Sequence, residues 1–361
     1  MSRTLVLSLR AGLLAYSCVL AACQELPELQ YETEHLRIGT RFEESLCRGD
    51  LDRLEALVTD LEVQLDASVE RPIEVYVWSD IDADPPDWCD GNLEGCYVEA
   101  DRAIYTSERS IGHELVHAVV DTFADPAPFW SEGAADALEF TRTQYSSSPP
   151  SETVESDAPN YSTASHFARW LINSYGIESY RALLRQGGSA REAFASTYGL
   201  SIEEAEASYF DEAPASYGAL NACGHPSLPS TGEGVWSESF EIDCASPHVY
   251  GGSLSMLIKR ELVISEHGHY AVSTTADGGL LSRCQDEDYL IAPTLDEPEL
   301  YGDVPAYTEA VLDGYLVPLP GNEEARVLEL APGRYELAVG YLSYETQTAE
   351  VEVARVPDPA P

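Results

Sequence analysis

Basic side chains are scarce in this chain: of 361 residues, 20 are Lys or Arg against 63 Asp or Glu, and Lys259 is the sole lysine. The formal charge of −43 repels phosphate backbones, which excludes nucleic acid as a partner. It fits a highly soluble surface or one adapted to salt. No Cys-x-x-Cys occurs, which removes a thiol redox motif and a zinc ribbon. G-x-S-x-G, the P-loop and the dinucleotide fingerprint are absent too, and with them the chemistry each carries. There is no internal repeat and no low-complexity block. The apolar run "AGLLAYSCVLAA" (11–22) has twelve residues, too few to span a bilayer as a mature helix. What is present is enough apolar residue, 44%, to fill a substantial core in a chain long enough for two domains.

That short apolar run follows Arg3 and Arg10 and suits the core of a signal peptide. It ends in "LAAC", Leu20 to Cys23, which resembles a bacterial lipobox. The resemblance implies that residues 1–22 are removed and that Cys23 becomes a lipidated N-terminus. It would anchor the exported protein to the bacterial envelope, in the outer membrane and periplasm or on the cell surface. A plain secretory signal cut nearby is the simpler alternative, and both put the chain outside the cytoplasm. Beyond Cys18 and Cys23 six cysteines remain, Cys47, Cys89, Cys96, Cys223, Cys244 and Cys284. An even number in an oxidising compartment implies disulfides rather than thiolate metal sites. The turn-rich loop "CDGNLEGC" pairs Cys89 with Cys96, and Cys223 with Cys244 is the second expected bridge.

Residues 23–33 are polar and read as a tether. "EHLRIGTRF" (34–42) alternates as a first strand, and Asp50 is placed to cap a helix through "DLDRLEALVTDLEVQL". "IEVYVW" (73–78) and "CYVEADRAIYT" read as strand and hairpin. Helices are expected over about 110–123, from near Ser131, and almost continuously from Tyr161 to Phe210, with a polar loop at 143–159 between them. Beyond about 212–224 the pattern turns to short β runs such as "SMLIKRELVIS" and "RYELAVGYL", separated by turn signals. These readings give one α+β domain over 34–212 and an all-β antiparallel sandwich over 220–357.

The stretch "GHELVHAVV" (112–120) carries the chemistry. Histidines four apart lie about one helical turn apart on one face, so His113 and His117 can grip one cation. Glu114 would then stand beside it. A buried helix with satisfied histidines fits the same pentapeptide, which arises by chance in roughly two of a hundred chains of this composition. A catalytic zinc needs three protein ligands and an open position. Glu132, fifteen residues after His117 in "FWSEGAADAL", supplies a third candidate.

"HELVH" followed by "WSEGAAD" resembles the gluzincin clan of zinc metallopeptidases. The resemblance implies a zincin-like fold, a small sheet with active-site helices. It makes His113, His117 and Glu132 the ligands of one catalytic Zn²⁺, with Glu114 as the general base that activates a zinc-bound water towards a peptide or protein substrate. Position 123 is Phe, where the metzincin pattern needs histidine, so that branch is excluded. Asp136, one turn after Glu132, is expected to accept the outer N–H of a ligand imidazole, with Asp121 as its competitor. For the oxyanion donor "NYSTASHFARWL" offers Tyr161 first and His166 second.

Other constellations fail on their own terms. "DIDAD" (80–84) starts like a calcium loop but has Pro85 and Gly91 where glycine and glutamate are needed. "HGH" (267–269) reads as a turn. The leading reading is a secreted, lipid-anchored zinc metallopeptidase. The alternatives are a non-catalytic zincin-fold lipoprotein acting as a binding or structural module, and a zinc hydrolase of non-peptide amides.

Overall fold

The computed structural model describes residues 26–41, 46–78, 89, 95–123, 125–139, 143–144, 148–214, 216–217, 224–252, 255–284, 317–321 and 325–357. The fold is mixed α/β. It opens with strands β1 (Leu29–Glu32) and β2 (Leu36–Thr40), helix α1 (Arg48–Leu65), and strands β3 (Ile73–Trp78), β4 (Gly95–Val98) and β5 (Ala103–Ser107). These strands form one sheet in the order β1-β2-β3-β5-β4. The central strands β2, β3 and β5 run parallel, whereas β1 and β4 close the two edges antiparallel. The central three are rich in Val, Ile and aromatic residues and largely buried, as a sheet covered by helices requires. On α1 the leucines 51, 54, 57, 61 and 65 recur at helical spacing and are all buried.

Two expectations change here. The stretch read as a tether contains β1, which pairs with β2 because Gly39 admits the chain: a Cβ there would stand 2.6 Å from the carbonyl oxygen of Glu28. Asp50 is not the cap of α1. Cys47 is, and the Asp50 carboxylate in the first turn accepts its N–H at 3.1 Å.

The next elements are α2 (Ile111–Val120), α3 (Pro128–Leu138), the short strand β6 (Thr143–Gln144), the single turn α4 (Pro150–Thr153), then α5 (Tyr161–Tyr175), α6 (Ile177–Leu184), α7 (Ala190–Tyr198), α8 (Ile202–Glu212) and β7 (Ser216–Tyr217). Helix α3 starts three residues before Ser131, because Pro128 has the fixed φ and missing N–H that suit a first helical position. Strand β7 returns to pair with β6, so the first unit runs a few residues beyond 212. One apolar core, drawn from Leu36 to Tyr217, fills this part, and the aromatic rings of Phe129, Trp130, Phe167 and Phe194 pack together at its centre.

The remaining elements among the described residues are all β: β8 (Ser230–Gly232), β9 (Val235–Ile242), β10 (Val249–Gly252), β11 (Ser255–Ile264), β12 (Gly268–Thr274), β13 (Gly278–Arg283), β14 (Val317–Pro320), β15 (Arg326–Leu330), β16 (Gly333–Tyr341) and β17 (Gln347–Val356). Two five-stranded sheets, β10-β11-β16-β13-β14 and β15-β12-β17-β9-β8, enclose a second core. Of "HGH", read as a turn, only His267 lies between β11 and β12, where it pairs with Glu329 at 3.0 Å; Gly268 and His269 already belong to β12 and pair with β15.

The two parts meet at the N-terminus of α1. Cys47 is bonded to Cys244, 197 residues away, which corrects the expected Cys223–Cys244 bridge. Neighbours in sequence lost to neighbours in space: the N–H of Arg48 donates to the Cys244 carbonyl at 2.8 Å, and the Asp50 carboxylate accepts the N–H of Gly251 at 2.7 Å. Cys89–Cys96 forms as the loop suggested, Cys284 is also in a disulfide, and Cys223 lies outside the described residues. No helix among the described residues is long and apolar enough to cross a membrane.

Candidate metal centre

Strand β5 leads through a short 3₁₀ turn, Glu108–Ser110, directly into α2. Ile111, Leu115, Val116, Ala118, Val119 and Val120 bury themselves on the sheet and the neighbouring helices. That fixes the rotation of the helix and turns His113 and His117 towards α3. A short connection then brings α3 back alongside α2. Three contacts fix α3 in turn. The indole N–H of Trp130 donates to the Ala190 carbonyl at 3.1 Å, and the Tyr180 hydroxyl donates to the Trp130 carbonyl at 2.9 Å. Gly133 lets α5 come so near that a Cβ would stand 2.8 Å from the Ala164 carbonyl oxygen. Glu132 projects from this braced helix.

The three side chains converge. Nε2 of His113 and Nε2 of His117 lie 3.2 and 3.1 Å from the same Glu132 oxygen, Oε2, and 3.1 Å from each other. They form one of the two groups of potential metal ligands among the described residues; the other shares His113 and adds Asp136 and Glu139. The outer ring nitrogens are also engaged. Nδ1 of His113 lies 2.7 Å from Oδ1 of Asp136, and Nδ1 of His117 lies 3.0 Å from the Ser131 hydroxyl. A carboxylate only accepts, so Nδ1 of His113 donates to Asp136, which leaves Nε2 to donate to Glu132 when the ring is doubly protonated or to offer its lone pair to a cation when it is not. The Ser131 hydroxyl can hold His117 the same way. Two imidazole lone pairs and a carboxylate oxygen directed at one point repel one another unless a cation or a proton sits between them. The donor set is the one that suits Zn²⁺, nitrogen with one carboxylate oxygen.

Burial would raise the Glu132 carboxyl, but hydrogen bonds from His113 and His117 outweigh it and hold it at about 2. Glu114 goes the other way: burial pushes it above the usual carboxylate range, against the pull of the two histidines. It is 5% exposed, and its carboxylate accepts the backbone N–H of Tyr97 on β4. Gly95 makes room for it, since a Cβ there would stand 2.8 Å from Glu114 Oε1 and 2.5 Å from Thr106 Oγ1.

Tyr161, at the first position of α5, reaches the same place. Its ring stacks on His113 with centroids 6.0 Å apart, and its hydroxyl hydrogen-bonds Glu132. Burial and the charges of Glu132, Glu114 and Asp136 push the phenol up to about 12, so it stays a proton donor at neutral pH. His166 does not reach the site. It is fully buried in the helical core, with Nδ1 2.8 Å from the Tyr209 hydroxyl, which corrects its candidacy as an oxyanion donor. Asp121 faces the cleft but accepts the Tyr97 hydroxyl at 2.7 Å, so it is Asp136 that supports a histidine. The sequence pointed to neither Ser131 nor Tyr97. Ser131 had a usable signal, since it precedes Glu132 on the helix that faces His117. Tyr97 had none. The "DIDAD" loop and Cys23 lie outside the described residues.

These groups open on a cleft of about 450 Å³. One side is α2 and α3, and the other is β4, the edge strand of the sheet, through Gly95, Cys96 and Tyr97. A comparison with protein-family models found no match, and a comparison with curated proteins found none either.

Proposed function

We propose that this chain is an exported zinc metallopeptidase of the gluzincin type, with a zincin-like fold over its α+β part. The observation that carries the reading is the convergence of His113, His117 and Glu132 within 4.8 Å of one another, with Glu114 beside them in an open cleft. His113, His117 and Glu132 would hold the ion, with Asp136 and Ser131 keeping the two rings in place. When bound, the zinc would supply Lewis acidity that polarises a carbonyl and acidifies a water. Glu114 takes the proton from the attacking water and hands it to the departing amine, work for which its position next to the cluster and its isolation from solvent suit it. Tyr161 donates its hydroxyl proton towards the oxygen on which charge develops.

Two further features favour a peptide as substrate. An edge strand can template an extended chain, and β4 lines the cleft through Gly95, Cys96 and Tyr97. The cleft beside it offers about 450 Å³. Disulfides at Cys47–Cys244 and Cys89–Cys96 fit an oxidising compartment, and so support export; Cys23 as the anchor rests on the lipobox resemblance.

The test is zinc content and peptide cleavage of the purified protein, with and without chelator. Glu114→Gln should retain stoichiometric zinc and lose cleavage by about 10²–10⁴-fold or more. Zinc bound without cleavage of any peptide library would leave a binding module or a hydrolase of other amides. Absence of zinc, with His113→Ala changing nothing, would overturn the site.

A further inference from the structure

Arg169 stands at the middle of α5, wholly buried. One of its nitrogens, Nη1, donates to the carbonyl oxygen of Ala137 on α3 at 3.3 Å. The other two, Nε and Nη2, have no hydrogen-bond partner. Nε and Nη2 share one edge of a guanidinium and aim two near-parallel N–H bonds in the same direction, the fork with which arginine grips anions. Among the described residues no carboxylate pairs with it. The group beside it is Tyr217 on β7, whose ring centroid lies 5.7 Å from the guanidinium carbon. Burial and little else pulls the guanidinium down to about 10, so it keeps its charge at neutral pH. A buried charge without a counter-ion is destabilising by several kcal/mol, and a half-satisfied guanidinium adds the loss of its hydrogen bonds.

We propose that the Nε–Nη2 edge of Arg169 is a binding site for a small monovalent anion, chloride being the fitting probe. Size follows from the burial: Arg169 is wholly buried, and Tyr209, His166 and Tyr217 near it are each 3% exposed or less, which favours a small anion over a bulky carboxylate or phosphate. Valence follows from the charge, one guanidinium with no second ionised group against it among the described residues: His166 is held neutral here, first by burial and then by Arg169 itself. Through Ala137 the same guanidinium ties α5 to the turn of α3 that carries Asp136. An anion there braces the two helices that present Tyr161 and Glu132.

The experiment is thermal melting of the whole protein in sodium chloride and in sodium gluconate at equal ionic strength. Above half-saturation, chloride should raise the melting temperature by about 3–5 °C for each tenfold increase, with gluconate inert. Arg169→Met should melt alike in both salts. Wild-type melting that is the same in both salts overturns the proposal, as does a chloride effect that survives in folded Arg169→Met. Should that variant fail to fold, bromide-soaked crystals of the wild type decide. An anomalous peak in hydrogen-bonding contact with both Nε and Nη2 supports the site, and its absence there refutes it.

Discussion

Replacing Asp136 by Asn tests the centre at the point where sequence and geometry agree most closely. The change keeps the shape of the side chain and removes its charge. Asp136 Oδ1 lies 2.7 Å from Nδ1 of His113, a charge-assisted hydrogen bond in a place where the two side chains are 25% and 14% exposed. Such bonds contribute about 1.5–3 kcal/mol when well shielded, and partial exposure moves this one towards the lower end. Loss of an outer partner of a ligand imidazole weakens metal binding by about 10–100-fold, which is about 1.4–2.7 kcal/mol. The two estimates overlap at about tenfold to thirtyfold. The assay is competition for zinc against a chromophoric chelator at neutral pH, with circular dichroism to establish that the variant is folded. Asp121→Asn is the control, because the Asp121 carboxylate accepts the Tyr97 hydroxyl, and its link to His117 is a backbone hydrogen bond that the change keeps. An Asp136→Asn affinity within twofold of wild type would refute the reasoning, and so would an equal loss in Asp121→Asn.

Two further outcomes follow from features away from the cleft. The Cys47–Cys244 bridge closes a segment of 197 residues, for which the loop-entropy relation gives up to about 5 kcal/mol. The double variant Cys47→Ser/Cys244→Ser should therefore unfold at a distinctly lower guanidinium midpoint, and an unchanged midpoint would sink the idea that this bridge stabilises the molecule. His166 is pushed down to about 4 by burial and by Arg169, so it stays neutral in the folded protein where the unfolded chain already binds a proton. Stability is then lost as pH falls from about 6.5 to about 4, by at most about 3 kcal/mol, and His166→Gln should flatten that limb of a denaturation series; parallel curves would refute it.

The residues that could be read from sequence are those whose partners lie on the same helix. His113 and His117 are one turn apart, and Glu132 and Asp136 one turn apart on the next helix, so each pair had to share a face. That the two faces meet depends on the short connection and on Pro128, which sequence could suggest but not orient. The same rule would have disqualified His166. Five residues turn a helix by about 500°, which puts His166 some 140° round α5 from Tyr161, facing the core when Tyr161 faces the cleft. What was not legible depends on contacts across long stretches of chain. The Cys47–Cys244 bridge and the Asp50–Gly251 hydrogen bond belong to a junction that no local pattern encodes. Glu114 owes its burial to Gly95 and the Tyr97 N–H on β4, which become its neighbours only once β4 has paired with β5.

Helix α5 joins the candidate metal centre and the buried arginine in one element. Its first residue touches His113, its Ala164 carbonyl rests on Gly133 of α3, and Arg169 holds the Ala137 carbonyl farther along. The helix is thus tied to α3 at two levels, one of them through a charge that no carboxylate pairs with among the described residues. That charge has a second effect within a single turn, since Arg169 helps to keep His166 neutral, while Tyr209 on α8, Tyr217 on β7 and the Pro214 carbonyl, which pulls the other way, contact His166 without adding charge. An anion on the free edge of Arg169 weakens this repulsion. Binding of the anion and protonation of His166 then favour each other, by an amount that is the same read from either side. The acid limb assigned to His166 should therefore be shallower in chloride than in gluconate, and the chloride effect on melting larger at pH 5 than at pH 8. A site that responded to chloride without this reciprocity would not be the guanidinium beside His166.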